Sequence, residues 1–441
     1  MHNVSVGHHR PGSSPCTSIR TFIIGHLSFI ARLALLLGVA LSTQPLPAAR
    51  ASHTNPIYVN DNASGANNGR SWPNAYRDLQ DALLHAESGD EIWVAAGTYR
   101  PGTTRSDTFQ LESGVAIYGG FAGGETARAQ RDWQVNITIL SGEIGEPFVN
   151  EDNSYHVVTG SGTGASAILD GVTISRGYAN VAANLGDQGG GMLNDSGSPS
   201  LANVTFSRNW ATFGGGLSNL GNSSPTLANV TFSSNSANYG AGMWNTDNSK
   251  PTLANVIFTG NLADYGGGMY NAVNGTPALA NVTFSGNSAG PEGGGAMYNS
   301  VNSSPTVYNS ILWGNSGGEI ATAVATAPPV VQYSLVQNGY SGSGNIAGDP
   351  RFVDADGADN VPGTPDDRLR LRSNSPAVDA GRNSLVRNDT LDLDGDGNTA
   401  ERLPLDHGGA RRFLDVPATA DTGAGNAPIV DMGAFEASPI I

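Results

Sequence analysis

The chain has 441 residues, 38 of them Asp or Glu against 22 Lys or Arg, for a formal net charge of −16. That balance excludes nucleic acid, and anionic lipid or polymer, as partners held by simple charge attraction. The single cysteine, Cys16, excludes a disulfide within the chain, and the 59 glycines recur at regular intervals rather than filling a linker.

Residues 1–51 read as an export signal: Arg10, Arg20 and Arg32 precede the apolar run 33–41, and Ala49-Arg50-Ala51 supplies small residues for cleavage. The run is short for a membrane span, so the mature chain is expected to start near Ser52 and to carry no span. Cleavage would leave 18 basic against 38 acidic residues, a net charge of −20.

Residues 52–100 predict an N-terminal cap and a first strand. Ile57-Tyr58-Val59 reads as a strand and 61–70 as a polar loop, after which Tyr76, Leu79, Ala82, Leu83 and Ala86 recur at helical spacing. Gly89-Asp90 stops that helix, and Glu91 to Val94 begins another strand. One amphipathic helix ahead of a stack of strands is expected to cover the stack's open end, whose bare edge would otherwise pair with another chain.

Residues 101–317 predict the stack itself. Irregular early strands fall near 115–118, 137–140, 156–158 and 168–174, with Glu143, Glu146, Glu151 and Asp152 between them. From Gly189 to Asn315 one phrase is written five times: a glycine run and an apolar residue, a polar loop ending in Pro, then Leu-x-Asn-Val-x-Phe-x-x-Asn. Its first Asn falls at Asn203, Asn229, Asn255, Asn281 and Asn309, a spacing of 26, 26, 26 and 28. Such a period means stacked units. Val and Phe two apart fit a strand, while Leu and Val three apart require a bend at the Asn between them. The divergent copy has Gly171 there, and Gly177 where later copies have Asn209, Asn235, Asn261, Asn287 and Asn315. Gly, and less readily Asn, enters left-handed backbone space, so both positions are expected to be corners.

Short strands, sharp corners and no helical period describe an all-β fold, a parallel β-helix, in which identical residues form columns. Four inner columns are expected: Leu201, Leu227, Leu253, Leu279 and Val307; Val204, Val230, Val256 and Val282; Phe206, Phe232, Phe258, Phe284 and Leu312; and Met192, Leu217, Met243, Met269 and Met297. Residues 318–441 are expected to hold closing coils or strands of a terminal cap, at 330–336 and 369–371, and an acidic C-terminal region.

Three resemblances attach to these residues. Ile57-Tyr-Val-Asn60, Ser71-Trp72, Leu79-Gln-Asp-Ala-Leu83 and the run from Gly89 to Pro101 resemble the opening of bacterial right-handed parallel β-helix proteins of the pectin-lyase-like superfamily. Gly214-Gly-Gly-Leu217 with Phe232-Ser-Ser-Asn235, and Gly266-Gly-Gly-Met269 with Phe284-Ser-Gly-Asn287, resemble polymorphic outer membrane protein repeats. Asp349-Pro-Arg-Phe352, Ser375-Pro-Ala-Val-Asp-Ala-Gly381 and Asp431-Met-Gly-Ala-Phe-Glu436 resemble the choice-of-anchor Q region of secreted bacterial proteins. Together they imply a right-handed β-helix, export and a place outside the cell or on its surface.

The fold often carries polysaccharide lyases and hydrolases, whose needs can be checked. A lyase needs an Arg or Lys base beside carboxylates that hold Ca²⁺. The only lysine, Lys250, lies in a repeat turn, and Arg176 and Arg208 occupy one position on neighbouring coils, either as paired cations for an acidic sugar or as solvated turn residues. A hydrolase needs paired carboxylates. Asn245-Thr-Asp247 resembles part of a polygalacturonase signature, but sister repeats read Asn219-Leu-Gly221 and Asn271-Ala-Val273 there, and Asp366-Asp367 lies in a Pro/Gly loop. No nucleophile with a His partner can be named.

Binding has better support. With Met243, Met269 and Met297 inward, Trp244, Tyr270 and Tyr298 point outward one above another, a platform for the apolar faces of sugars unless the closing segment covers it. A second column, Phe213, Tyr239 and Tyr265, is expected to be internal corner packing. Asp392-x-Asp394-x-Asp396-Gly-Asn398 offers oxygens at alternate positions, as calcium requires, although Leu403 stands where a helix-loop-helix site has Glu. Asp354, Asp356 and Asp359 form a second acidic turn. The reading is an exported, non-catalytic interaction protein for a polysaccharide or cell-surface glycan, with a lyase or glycoside hydrolase acting on acidic polysaccharide as the alternative.

Overall fold

A computed structural model describes residues 56–323 and 326–438. They belong to the unit Ala51–Ile441, and the expected signal segment 1–51 lies outside them. No helix among the described residues is long and apolar enough to cross a membrane.

The chain winds as a parallel β-helix, with the right-handed sense that parallel crossovers take. Among the described residues a full circuit crosses four faces. The Leu face is a sheet of ten strands, the Phe face of nine, the Met face of eight, and the Ala face of four: Tyr178–Ala179, Trp210–Phe213, Ser236–Tyr239 and Leu262–Tyr265. Like lies over like: Leu201 pairs with Leu227, Leu253, Leu279 and Val307 in turn, and the Phe and Met columns follow the same register. Successive Phe rings stack at 4.8, 4.7 and 4.5 Å. All four expected columns are fully buried, and each side chain in them contributes roughly 1.5–3 kcal/mol.

Helix α1 (Leu79–His85) starts where the Asp78 carboxylate accepts the Gln80 N–H at 3.0 Å. It buries Leu79 and Ala82 against Ile57–Val59, the edge strand of the Leu face, as the cap reading requires.

The first corner is as expected: Gly171 and Asn203, Asn229, Asn255, Asn281 and Asn309 all have positive φ. The second needs correction. There the left-handed residue stands one place earlier, at Arg176, Arg208, Ser234, Gly260, Gly286 and Gly314. The Asn that follows is buried because its side chain has another task. Each amide donates to the Asn Oδ1 of the next coil, from Asn209 through Asn235, Asn261 and Asn287 to Asn315, at 2.8–3.0 Å. Each also donates to a backbone carbonyl of the coil before, Phe206 O for Asn235 and Phe232 O for Asn261. A second ladder on the Met face links Asn194, Asn219, Asn245, Asn271 and Asn299 at 2.9 Å.

Val330–Gln332 and Leu335–Val336 close the coils as expected. The remainder forms no end cap. Phe352–Asp354 and Arg368–Leu371 make a small antiparallel pair, and the tail runs back along the outside of the Leu and Phe faces. Asn309 exchanges two hydrogen bonds with the Arg382 backbone, the Asn281 amide donates to Asp431 O, Asn255 donates to Leu405 O, and His407 meets Thr231. The corner Asn side chains project outward with bonding capacity that the coils do not use, and the tail satisfies it.

Candidate functional site

Trp244, Tyr270 and Tyr298 stand in register on the outside of the Met face, with ring centroids 4.7 and 4.9 Å apart. Phe213, Tyr239 and Tyr265 correct the expectation of internal packing: they are half-buried on the outside and mesh with the first column. Phe213 meets Trp244 at 4.9 Å, Tyr239 meets Tyr270 at 5.7 Å, and Tyr265 meets Tyr298 at 5.2 Å. Glycine makes this possible. Gly240 and Gly266 turn the corner with φ of 64° and 65°, and a Cβ at either would crowd the Tyr270 side chain. Six rings thus form one surface across four coils. Its centre is closed: Tyr270 is only 6% exposed, Ser300 donates to its hydroxyl at 3.2 Å, and burial pushes the phenol up to about 12. Trp244 and Tyr298 are half-buried and reachable. The tail's hydrogen bonds to the coils go to the Leu and Phe faces and their bounding corners, leaving these rings uncovered.

Arg176 and Arg208 do occupy one corner on neighbouring coils, since Ser175 pairs with Ser207 and Tyr178 with Trp210. They lie before the Ala face and the ring surface lies after it, so the structure does not join them. Arg176 faces Glu143 at 3.7 Å and covers the Phe148 ring, while the exposed Arg208 makes no ion pair among the described residues.

Carboxylate oxygens of Asp392, Asp394 and Asp396 come within 4.8 Å of one another, as the alternating pattern predicts. Asn398 is spent locally, its Oδ1 accepting the Ala400 N–H at 3.3 Å. Sequence reasoning missed two further acids. Asp394 also clusters with Asp389, which is 1% exposed with Oδ1 unpartnered, and with Glu401, whose Oε1 is buried and unpartnered. Burial raises the Asp389 carboxyl, opposed by the Leu393 amide; desolvation raises Glu401, and the surrounding aspartates add to it. Asp354, Asp356 and Asp359 gather into no such group among the described residues.

Beside this loop a cleft of about 560 Å³ opens between the outer Leu face, at Thr226, Thr252 and Tyr308, and the tail, at Arg387, Asp389 and Arg402. The two walls are far apart in the chain, and no spacing announces such a meeting.

No family model matches the chain, and no curated protein does. One solved structure is similar. Its title is that of pectate lyase Pel9A, and the likeness has 14% identity and a TM-score of 0.47 over 87% of this chain and 97% of that one.

Several candidates for chemistry are accounted for structurally. Asn245 is a rung of the Met-face ladder. Asp366 accepts the Ala358 N–H at 2.7 Å and the Thr364 hydroxyl at 2.6 Å, and Asp367 accepts the Gly363 N–H at 2.7 Å and the Thr259 hydroxyl at 3.1 Å, so both hold a turn.

Proposed function

We propose that this is an exported β-helix acting outside the cell or on its surface as an interaction protein, which binds a polysaccharide or cell-surface glycan through the six-ring face and catalyses no reaction. The observation that carries this reading is the meshing of the two aromatic columns into one uncovered surface that crosses four coils. Aromatic faces stack against the C–H faces of sugar rings, and a rigid ladder holds them without further ordering cost. Trp244 and Tyr298 make the contact and Tyr270 supports them. Arg176 and Arg208 sit at another corner, so the rings select the apolar side of a sugar rather than a carboxylate. The signal pattern, the likeness of the repeats to polymorphic outer membrane protein repeats and that of the tail to a choice-of-anchor Q region support export. The loop of Asp392, Asp394, Asp396 and Asn398, extended by Asp389 and Glu401, is read as a calcium-holding turn.

The test is retention of the purified mature chain on a panel of immobilised polysaccharides, with analysis of the polymer afterwards. Retention with the polymer intact supports the reading; release of unsaturated or reducing ends would replace it with the lyase or hydrolase alternative.

A further inference from the structure

We propose that Asp379, Asp415 and Asp421 form a site for a hard divalent cation of the calcium class, which ties three separate stretches of the tail together where the tail docks on the coils.

One carboxylate oxygen from each of the three lies within 4.8 Å of the others. Oxygens bound to a common ion at about 2.3–2.6 Å can stand no more than roughly 5 Å apart, so the spacing suits ligands around one centre. Asp379 supplies a second, independent observation. It is 0% exposed, and neither carboxylate oxygen accepts a hydrogen bond of ordinary geometry. A buried carboxylate normally accepts several, and an ion left bare in the interior is costly.

The side chain is also aimed. The Asp379 N–H donates to Asp431 Oδ1 at 2.7 Å, and its carbonyl accepts the N–H groups of Thr422 and Gly423, each at 2.9 Å. These bonds fix the backbone in a left-handed turn, φ 51°, which directs the carboxylate at Asp415 and Asp421. No arginine or lysine pairs with any of the three among the described residues. Asp415 and Asp421 are exposed, so one side of the site is open to water. One interior and two surface carboxylates plus water match the flexible all-oxygen shell of Ca²⁺ better than the strict octahedron of Mg²⁺.

The location gives the ion a task. Gly381 N donates to Val430 O at 2.9 Å, and Arg382 joins Asn309 of the coils, so a cation at Asp379 would fasten the tail beside its attachment to the last repeat.

The experiment is calcium titration of the metal-stripped mature chain by calorimetry, with melting followed in parallel. The acidic loop near Asp394 could bind as well, so three proteins are compared: the parent, Asp394→Asn, and the double variant Asp415→Asn/Asp421→Asn, whose changes fall on exposed side chains. The expected result is a saturable calcium event and a rise in melting temperature that persist in Asp394→Asn and are lost in the double variant. A double variant with the parent's calcium stoichiometry and melting shift overturns the proposal, as does a parent that takes up no calcium at millimolar concentration. Asp379→Asn gives a second reading: it should remove the calcium shift while leaving the metal-free protein at least as stable, and a retained shift would count against the site.

Discussion

The guanidinium of Arg412 donates to Oδ1 of Asn255, 157 residues away in sequence, and so closes one end of a third amide ladder. Asn255 donates to Asn229, Asn229 to Asn203, and Asn203 to the carboxylate of Asp170, which Arg131 holds at 2.5 Å. A ladder of amides has an acceptor end and a donor end, and here a cation meets the first and an anion the second.

Removing Arg412 therefore strikes twice. Its other partner is Glu436, at 3.1 Å with both side chains fully buried, and burial already holds the Glu436 carboxyl well above its usual range. Arg412→Met should cost about 3–5 kcal/mol, because a buried anion loses its only cation. Chemical denaturation should show an early transition, and limited proteolysis should cut within 350–438 while the coils survive. Loss of the whole β-helix together with the tail would show instead that the two fold as one unit.

Within the coils, two substitutions separate packing from ladder bonding. Val230→Asp places a charge in a fully buried column and should unfold the middle of the stack, read as loss of the main melting transition. Asn261→Leu should be milder. It leaves Phe232 O and Asn287 Oδ1 without a donor and Asn235 without its acceptor, at about 1–3 kcal/mol per stranded group. Differential scanning calorimetry should rank the two in that order.

Most of the solenoid was legible because each repeat states the same local rule: which residues face in, and where the chain must bend. The Leu, Val, Phe and Met columns and the Asn203 series of corners follow from spacing alone. The Asn209 series misled because Asn suits both a left-handed corner and a buried amide ladder, and sequence does not say which. The ring surface was half legible. The outward phase of Trp244 follows from Met243, but its contact with Tyr239 depends on how sharply Gly240 turns. The tail's contacts were not legible, since Arg412 to Asn255 and Asp379 to Asp431 join segments with no shared period.

The ring surface yields a graded prediction. Trp244→Ala or Tyr298→Ala removes a reachable ring and should weaken glycan retention by roughly tenfold each, the scale of a 1–2 kcal/mol stacking contact. Tyr270→Phe keeps the ring and deletes only the hydroxyl that Ser300 meets, so melting should fall slightly and retention should not change. Affinity electrophoresis in a retained polysaccharide would measure all three. Equal loss in Tyr270→Phe would place the contact at the hydroxyl instead.

Glu319 ends the Asn209 ladder: Asn315 donates its side-chain amide to one carboxylate oxygen at 2.6 Å and its backbone N–H to the other at 3.2 Å. Burial pushes this carboxyl from an ordinary 4.5 to about 7, and the Asn315 donors oppose but do not cancel that rise. The folded chain thus holds the proton more tightly than the unfolded chain. The stability that this group lends is present below pH 4.5 and is lost as the pH climbs through about 7. Each tenfold difference in proton affinity between the two states corresponds to about 1.36 kcal/mol, so the loss is on the order of 3 kcal/mol. Burial also raises Asp379 to about 6 and Asp431 to about 7, so the parent's profile sums several groups. The difference between parent and Glu319→Gln isolates this one, because the amide cannot titrate. Melting measured from about pH 4.5 to 8 without divalent metal should fall less steeply in Glu319→Gln than in the parent, and parallel curves would mean that the ladder's last acceptor is already ionised at about pH 5.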